Sequence, residues 1–245
     1  MSETLDLLRQ LSRREKRNVL AYEDLADDRY FVTNATANRT DFASATEHDF
    51  NDFDDNFDYD TADAGTVLSC VSTDAADTFA IQLLGLDLNK DPLTEVVVLT
   101  GTTPAVSSAV FTRLNSVVVL GGPGAGTVTV DGLGFGWAAL APGATNIHAG
   151  RLSVPRHHTF VPEVSTFYSD KTGEYRVKIY QRVSGIPPIE AMPIYLYQTT
   201  GELRLFPTAT HGPADIYLTI ERLTGSGTLF ASGIFNGVTY DNRRM

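Results

Sequence analysis

From about residue 66 the hydrophobic residues recur at every second position, and this period persists to the C-terminus. Val177, Ile179 and Val183 alternate with Arg176, Lys178, Tyr180 and Arg182, and Ile216, Leu218 and Ile220 alternate with Asp215, Tyr217, Thr219 and Glu221. A period of two gathers the apolar side chains on one face only if the backbone is extended. These segments are therefore expected as half-buried antiparallel strands. Further strands are expected over Phe79–Leu86, Leu93–Thr100, Asn115–Leu120, Thr127–Asp131, Asn146–Ser153, Thr159–Tyr168, Ile194–Tyr197 and Glu202–Phe206. Turn signals separate them, among them Asn89-Lys90-Asp91-Pro92, Gly121-Gly122-Pro123-Gly124, Pro142-Gly143, Thr200-Gly201 and Gly212-Pro213.

No helical stretch in this region is long enough to cross between parallel strands. The expected fold is mainly β, with an antiparallel β-sandwich or jelly-roll-like body. A chain of 245 residues accommodates two such units or one large one. The reading adopted places a small β-sandwich at 66–143 and a jelly-roll-like β-sandwich at 144–245, with one continuous unit as the alternative. Val96–Leu99 and Val117–Leu120 are apolar on both faces. Such runs call for cover on both sides by a sheet, a domain or a subunit. The single cysteine, Cys70, lies within an apolar strand-like stretch and is expected as a buried, inert thiol.

The first 65 residues have a different character. Residues 1–20 carry five basic and three acidic side chains, whereas residues 23–65 carry two basic and thirteen acidic ones. The net charge of −11 thus resides in one segment. So acidic a chain is repelled by phosphate backbones, which argues against general nucleic-acid binding. The basic start reads as a short amphipathic helix. Leu5, Leu8 and Leu11 line one side, while Arg13, Arg14 and Arg17 stand on the other. An isolated helix of this length is marginal in water, so its stripe needs something to pack on. That support is either a partner or the chain's own body.

The run from His48 to Asp60 mixes acids with aromatics and has few aliphatic residues to bury. It is expected as an extended arm. Phe50, Phe53 and Phe57 stand at i, i+3 and i+7, a spacing that would present three anchors to a partner's groove. A solvated linker is the alternative.

No catalytic or cofactor pattern emerges. His157 and His158 are adjacent, so in a strand they point to opposite faces and cannot together hold one metal ion. Aligning Asp54, Asn56 and Asp58 with a calcium loop puts Tyr59 at the obligatory glycine and Gly65 at the bidentate glutamate. The glycine-rich Gly121–Gly126 matches neither dinucleotide nor P-loop spacing and reads as a hairpin needing positive φ. Gly225-Ser226-Gly227 does not supply a nucleophile elbow. The expectation is a non-enzymatic protein with no cofactor and no metal. No apolar run is long enough to span a bilayer and no secretory signal is read, so the chain is expected in a cytosol.

The stretch Val71–Asp77, followed by Ile81–Asp87 and Leu93–Thr103, resembles a group of bacteriophage virion proteins. In that group a Gly-Leu-Asp strand end and a short turn lead into a Thr-Glu-rich strand. A segment like Phe111–Val117 and a glycine-rich loop follow, and the resemblance extends over residues 66–245. It implies a virion structural protein made in the host cytoplasm, a head-decorating, fibre-associated or tail-region component. The implied partners are capsid, portal or tail subunits and the chain itself as a homo-oligomer, fastened by the N-terminal segment. A neck or tail adaptor is the runner-up. A carbohydrate-binding module is the reading from a different class, with Trp137, Tyr168, Tyr175, Tyr180, Tyr195 and Tyr197 as candidate aromatics.

Overall fold

In the computed structural model the alternating segments form eighteen strands among the described residues. The structure describes residues 30–39, 47–49, 57–148, 151–169, 174–183, 186, 188–196, 200–204, 209–224 and 231–244. In chain order these are β1 (Tyr30–Arg39) and β2 (Glu47–Asp49), then a one-turn helix α1 (Tyr59–Ala62). Next come β3 (Ser69–Ser72), β4 (Ala80–Leu86), β5 (Pro92–Val98), β6 (Ala105–Val106), β7 (Arg113–Val119), β8 (Val128–Gly132), β9 (Phe135–Leu140) and β10 (Asn146–His148). The last group is β11 (Arg151–Val154), β12 (His158–Ser169), β13 (Tyr175–Arg182), β14 (Ile189–Leu196), β15 (Thr200–Arg204), β16 (Thr210–His211), β17 (Ala214–Arg222) and β18 (Ala231–Asp241).

The strands make four antiparallel sheets. Two of them, in the orders β10-β7-β4-β5 and β6-β3-β8-β9, are built wholly from residues 69–148. Leu68 and Cys70 beside and in β3, Ile81 and Leu83 in β4, Val117 in β7 and Trp137 in β9 are buried in one cluster. That cluster joins the two sheets face to face. The other two sheets, β1-β18-β12-β15 and β11-β17-β13-β14, take strands from both ends of the chain. In β13 the buried Tyr175, Val177 and Ile179 alternate with partly exposed Arg176, Lys178 and Tyr180, as the period requires.

The pairings of this second unit are nested. β13 pairs with β14 and β12 with β15; β17 takes both β11 and β2, and β1 pairs with β18. The unit formed by residues 57–148 is thus an insertion between β2 and β11, two strands on the same neighbour.

Several sequence expectations change here. Residues 30–39, expected within an extended arm for a neighbouring subunit, pair along all ten positions with β18 of the same chain. Glu47–Asp49 likewise joins β17. Their signal was hidden because the partner strands lie some two hundred residues away, where no local pattern reports them. The expected strand Asn146–Ser153 is two strands in different sheets, β10 and β11. Gly121–Gly126 is not a hairpin but a crossing between sheets, from β7 to β8. Gly122 does carry the expected positive φ, at 108°.

A charged seam between the two units as candidate functional site

The geometry of β7 begins at a bulge. Pairing with β4 shifts register between Leu84 and Gly85, leaving Asn115 without a direct partner. The shift breaks the alternation, so both Arg113 and Leu114 are buried. Leu114 enters the core of its own unit, and Arg113 reaches the other unit. Gly85 makes room for this: a Cβ there would sit 2.0 Å from the Arg113 carbonyl oxygen.

Arg113 is 2% exposed. Its Nε lies 2.9 and 3.0 Å from the two carboxylate oxygens of Asp215 in β17, and its Nη2 donates to Asp215 Oδ2 at 2.9 Å. Nη1 donates to the Thr112 carbonyl at 2.6 Å, and Nη2 also lies 2.8 Å from Asp63 Oδ1. Asp215 accepts in addition from the Ser153 hydroxyl at 2.6 Å, and Asp63 accepts from Lys90 Nζ at 2.5 Å. Ser153 and Asn115, the bulge residue, exchange two further hydrogen bonds, 2.9 and 3.0 Å. Two carboxylates from different units therefore share one guanidinium.

The connection around α1 packs into the same place. Asp58 caps the helix, accepting from the Thr61 amide at 3.0 Å. The turn presents Tyr59 between two guanidinium groups, with Arg113 5.2 Å and Arg182 5.0 Å from its centroid. Arg182 in β13 also pairs with Asp60. Phe57 lies edge-on to Phe135 and Trp137, with centroids 5.0 and 5.3 Å away, and the Arg151 guanidinium stands 3.5 Å over its ring. Arg151 Nη2 donates to the Trp137 carbonyl at 3.0 Å, and the Arg156 amide donates to the Lys90 carbonyl at 2.8 Å.

Electrostatics follow from this packing. Burial opposes the charge on Arg113, but Asp215, through its field and its hydrogen bonds, and Asp63 outweigh it and raise the pKa. Lys90 is held below the ordinary lysine value by burial, which its bond to Asp63 only partly offsets. Outside the seam, Asp77 is held below the ordinary carboxylate value by the Ser72 hydroxyl and the Ala125 and Gly126 amides. This carboxylate fastens the glycine-rich crossing. Burial pushes the Cys70 thiol up to about 12.

The seam is chemically closed. Each oxygen of Asp215 already accepts from Arg113, and a small cleft beside it, lined by Leu86, Lys90, Arg113, Pro213, Ala214 and Asp215, admits about one water molecule. No group of three or more potential metal ligands occurs among the described residues. What the arrangement does is mechanical: it fixes one β unit against the other.

Of the expected docking residues, Leu5, Leu8, Leu11, Arg13, Arg14, Arg17, Phe50 and Phe53 lie outside the described residues. Phe57 is corrected. Its side chain is 6% exposed and buried against Trp137 of the same chain, so it offers no anchor to a partner. The candidate glycan-binding aromatics change as well, since Trp137 and Tyr175 are buried and Tyr180 donates its hydroxyl to Glu47. The side chains of Tyr168, Tyr195 and Tyr197 lie outside the described residues. Sequence reasoning gave Arg113, Asp63 and Lys90 no part in a site, and its alternation set Asp215 and Arg182 on the polar side of their strands, whereas both are buried. Arg113 and Asp215 are 102 positions apart, and no spacing rule joins them.

No protein-family model matches the chain, and no curated protein matches it. Among solved structures it is similar to the VP2 subviral particle of infectious bursal disease virus, at 10% identity and a TM-score of 0.26 over 87% of this chain and 73% of that one. The Gx strain of the same virus gives 10% identity and a TM-score of 0.19 over 88% and 82%. Scores of this size fall short of a shared fold. Among the described residues no helix is long and apolar enough to cross a membrane.

Proposed function

We propose that the chain is a non-enzymatic structural protein of a bacteriophage virion, a capsid auxiliary or decoration component with a jelly-roll body. The observation that carries the assembly role is the seam. Buried ionic groups, Arg113 and Asp215 above all, join two β units rather than surrounding a substrate-sized space. A building block that bears load between neighbours needs such a junction.

The nested pairings support the jelly-roll reading. A long antiparallel hairpin that rolls up on itself gives the partners β1–β18, β11–β17, β12–β15 and β13–β14. Rolling then brings β18 beside β12 and β17 beside β13, which are the remaining neighbours in the two sheets. The resemblance over residues 66–245 supports a phage setting.

Attachment then belongs to a shorter segment than 1–65. Strands β1 and β2 are part of the body, which leaves residues 1–29, with the Leu5, Leu8 and Leu11 stripe and the basic side chains, as the fastening element. Deleting residues 1–29 is expected to leave a soluble, folded protein that no longer enters particles. Normal occupancy of the truncated protein would contradict this assignment.

A further inference from the structure

The run Val96–Leu99, apolar on both faces, calls for cover on both sides, and the described residues supply only one. Val97 and Leu99 are buried in the core, while Val96 is 51% and Val98 58% exposed. Among the described residues β5 is also the last strand of its sheet, paired with β4 alone. Its register shows where the backbone points. The Leu99 amide donates to the Phe79 carbonyl and the Asp87 amide to the Asp91 carbonyl, so the odd-numbered residues of β5 bond to β4. The amides and carbonyls of Thr94, Val96 and Val98 are therefore directed away from the sheet. Such edges are normally blunted by lysine, a bulge or an internal proline. This one has none of them after Pro92, and its outward residues are β-branched, the type that best fits a strand.

We propose that β5 pairs antiparallel with β5 of a second copy about a two-fold axis at Val96, merging two four-stranded sheets into one. In that register Val96 faces itself and Thr94 faces Val98 of the other copy, so all three outward amides and carbonyls gain partners. Charge identifies a second copy as the occupant. The chain carries −11, so two copies repel wherever carboxylates meet. The face running from Thr94, Val96 and Val98 across Gln82 to Val118 and Leu120, and on to Asn146 and His148, has no carboxylate. A strand edge paired antiparallel with itself is also self-complementary, as a two-fold interface must be.

The pairing deepens the assembly role proposed above, and it is tested on the isolated protein so that the two stand or fall separately. Sedimentation of the full chain across a concentration series should show a monomer–dimer equilibrium. Val96→Lys should weaken it by about tenfold or more with the unfolding temperature of the monomer, measured at low concentration, unchanged. Val106→Lys, at a 57% exposed site in the other sheet, should leave it intact. Val96→Cys places two thiols across the axis with Cα atoms about 5.5 Å apart, within disulfide reach. It should give a covalent dimer on mild oxidation, since the native Cys70 is buried. A chain monomeric throughout, with Val96→Cys remaining a free thiol, overturns the pairing, as does a dimer indifferent to Val96→Lys. A monomer whose β5 amides become protected from exchange only inside particles would place a strand of another protein on this edge. That outcome would reject self-pairing while leaving the virion role standing.

Discussion

Arg113 is the residue through which the two β units hold each other. Its guanidinium is almost wholly buried and serves Asp215, Asp63 and a main-chain carbonyl together. Removing one member of a buried ion pair strands the other charge in a poorly solvating place, at a cost of about 3–5 kcal/mol. Arg113→Met is therefore expected to lower stability in chemical denaturation by about that amount. Arg113→Lys should recover only part of it, because an ammonium cannot span Asp215 and Asp63 with a planar fork.

The Asp77 carboxylate gives a pH dependence of definite sign. Its folded pKa lies below the unfolded value, so its contribution is complete above the unfolded pKa, about 4, and is lost as pH falls through the folded value. The protection factors of the Ala125 and Gly126 amides, exchange rates taken relative to an unfolded chain at the same pH, should fall on acidification below about pH 4. The same amides should already exchange fast at neutral pH in Asp77→Asn. None of these roles was legible in the sequence. Arg113 and Asp77 acquire their partners only when segments tens to a hundred residues apart are brought together. Cys70 was legible, because a lone cysteine inside an apolar alternation has nowhere to point except the core.

At the scale of elements, the alternation was readable where one face met the core, as in β13, whereas in β17 Asp215 and Thr219 on the polar side are buried as well. What was not readable is where alternation is deliberately broken. The bulge at Gly85 turns Arg113 out of register, and Gly85→Ala would drive a Cβ into the Arg113 carbonyl. That substitution is expected to cost roughly 1–3 kcal/mol and to loosen the seam, read as faster proteolysis between the units.

The acidic N-terminal region misled for a related reason. Its composition has few aliphatic residues, yet β1 makes its hydrogen bonds with β18, and hydrogen bonding does not register in hydropathy. Deleting residues 1–49 removes β1 and β2 and uncovers the β18 edge. This truncation should aggregate, while deletion of 1–29 should remain soluble. Equal solubility of the two would contradict the ten-residue β1–β18 ladder.

For the whole molecule, the mainly β, antiparallel class followed from strand spacing, but the connectivity, with β1 and β2 paired to β18 and β17, did not. The inserted unit interrupts a nested set of pairings whose outer members are the chain's two ends. The result is a body in which β1 and β18 pair and the seam braces the inserted unit, with β5 among the edge strands of the described sheets. Quantifying the chain in density-purified phage particles tests this account most directly. The account predicts a fixed copy number per particle, in the hundreds for a decoration protein. A chain confined to the soluble cell fraction and absent from particles would contradict it.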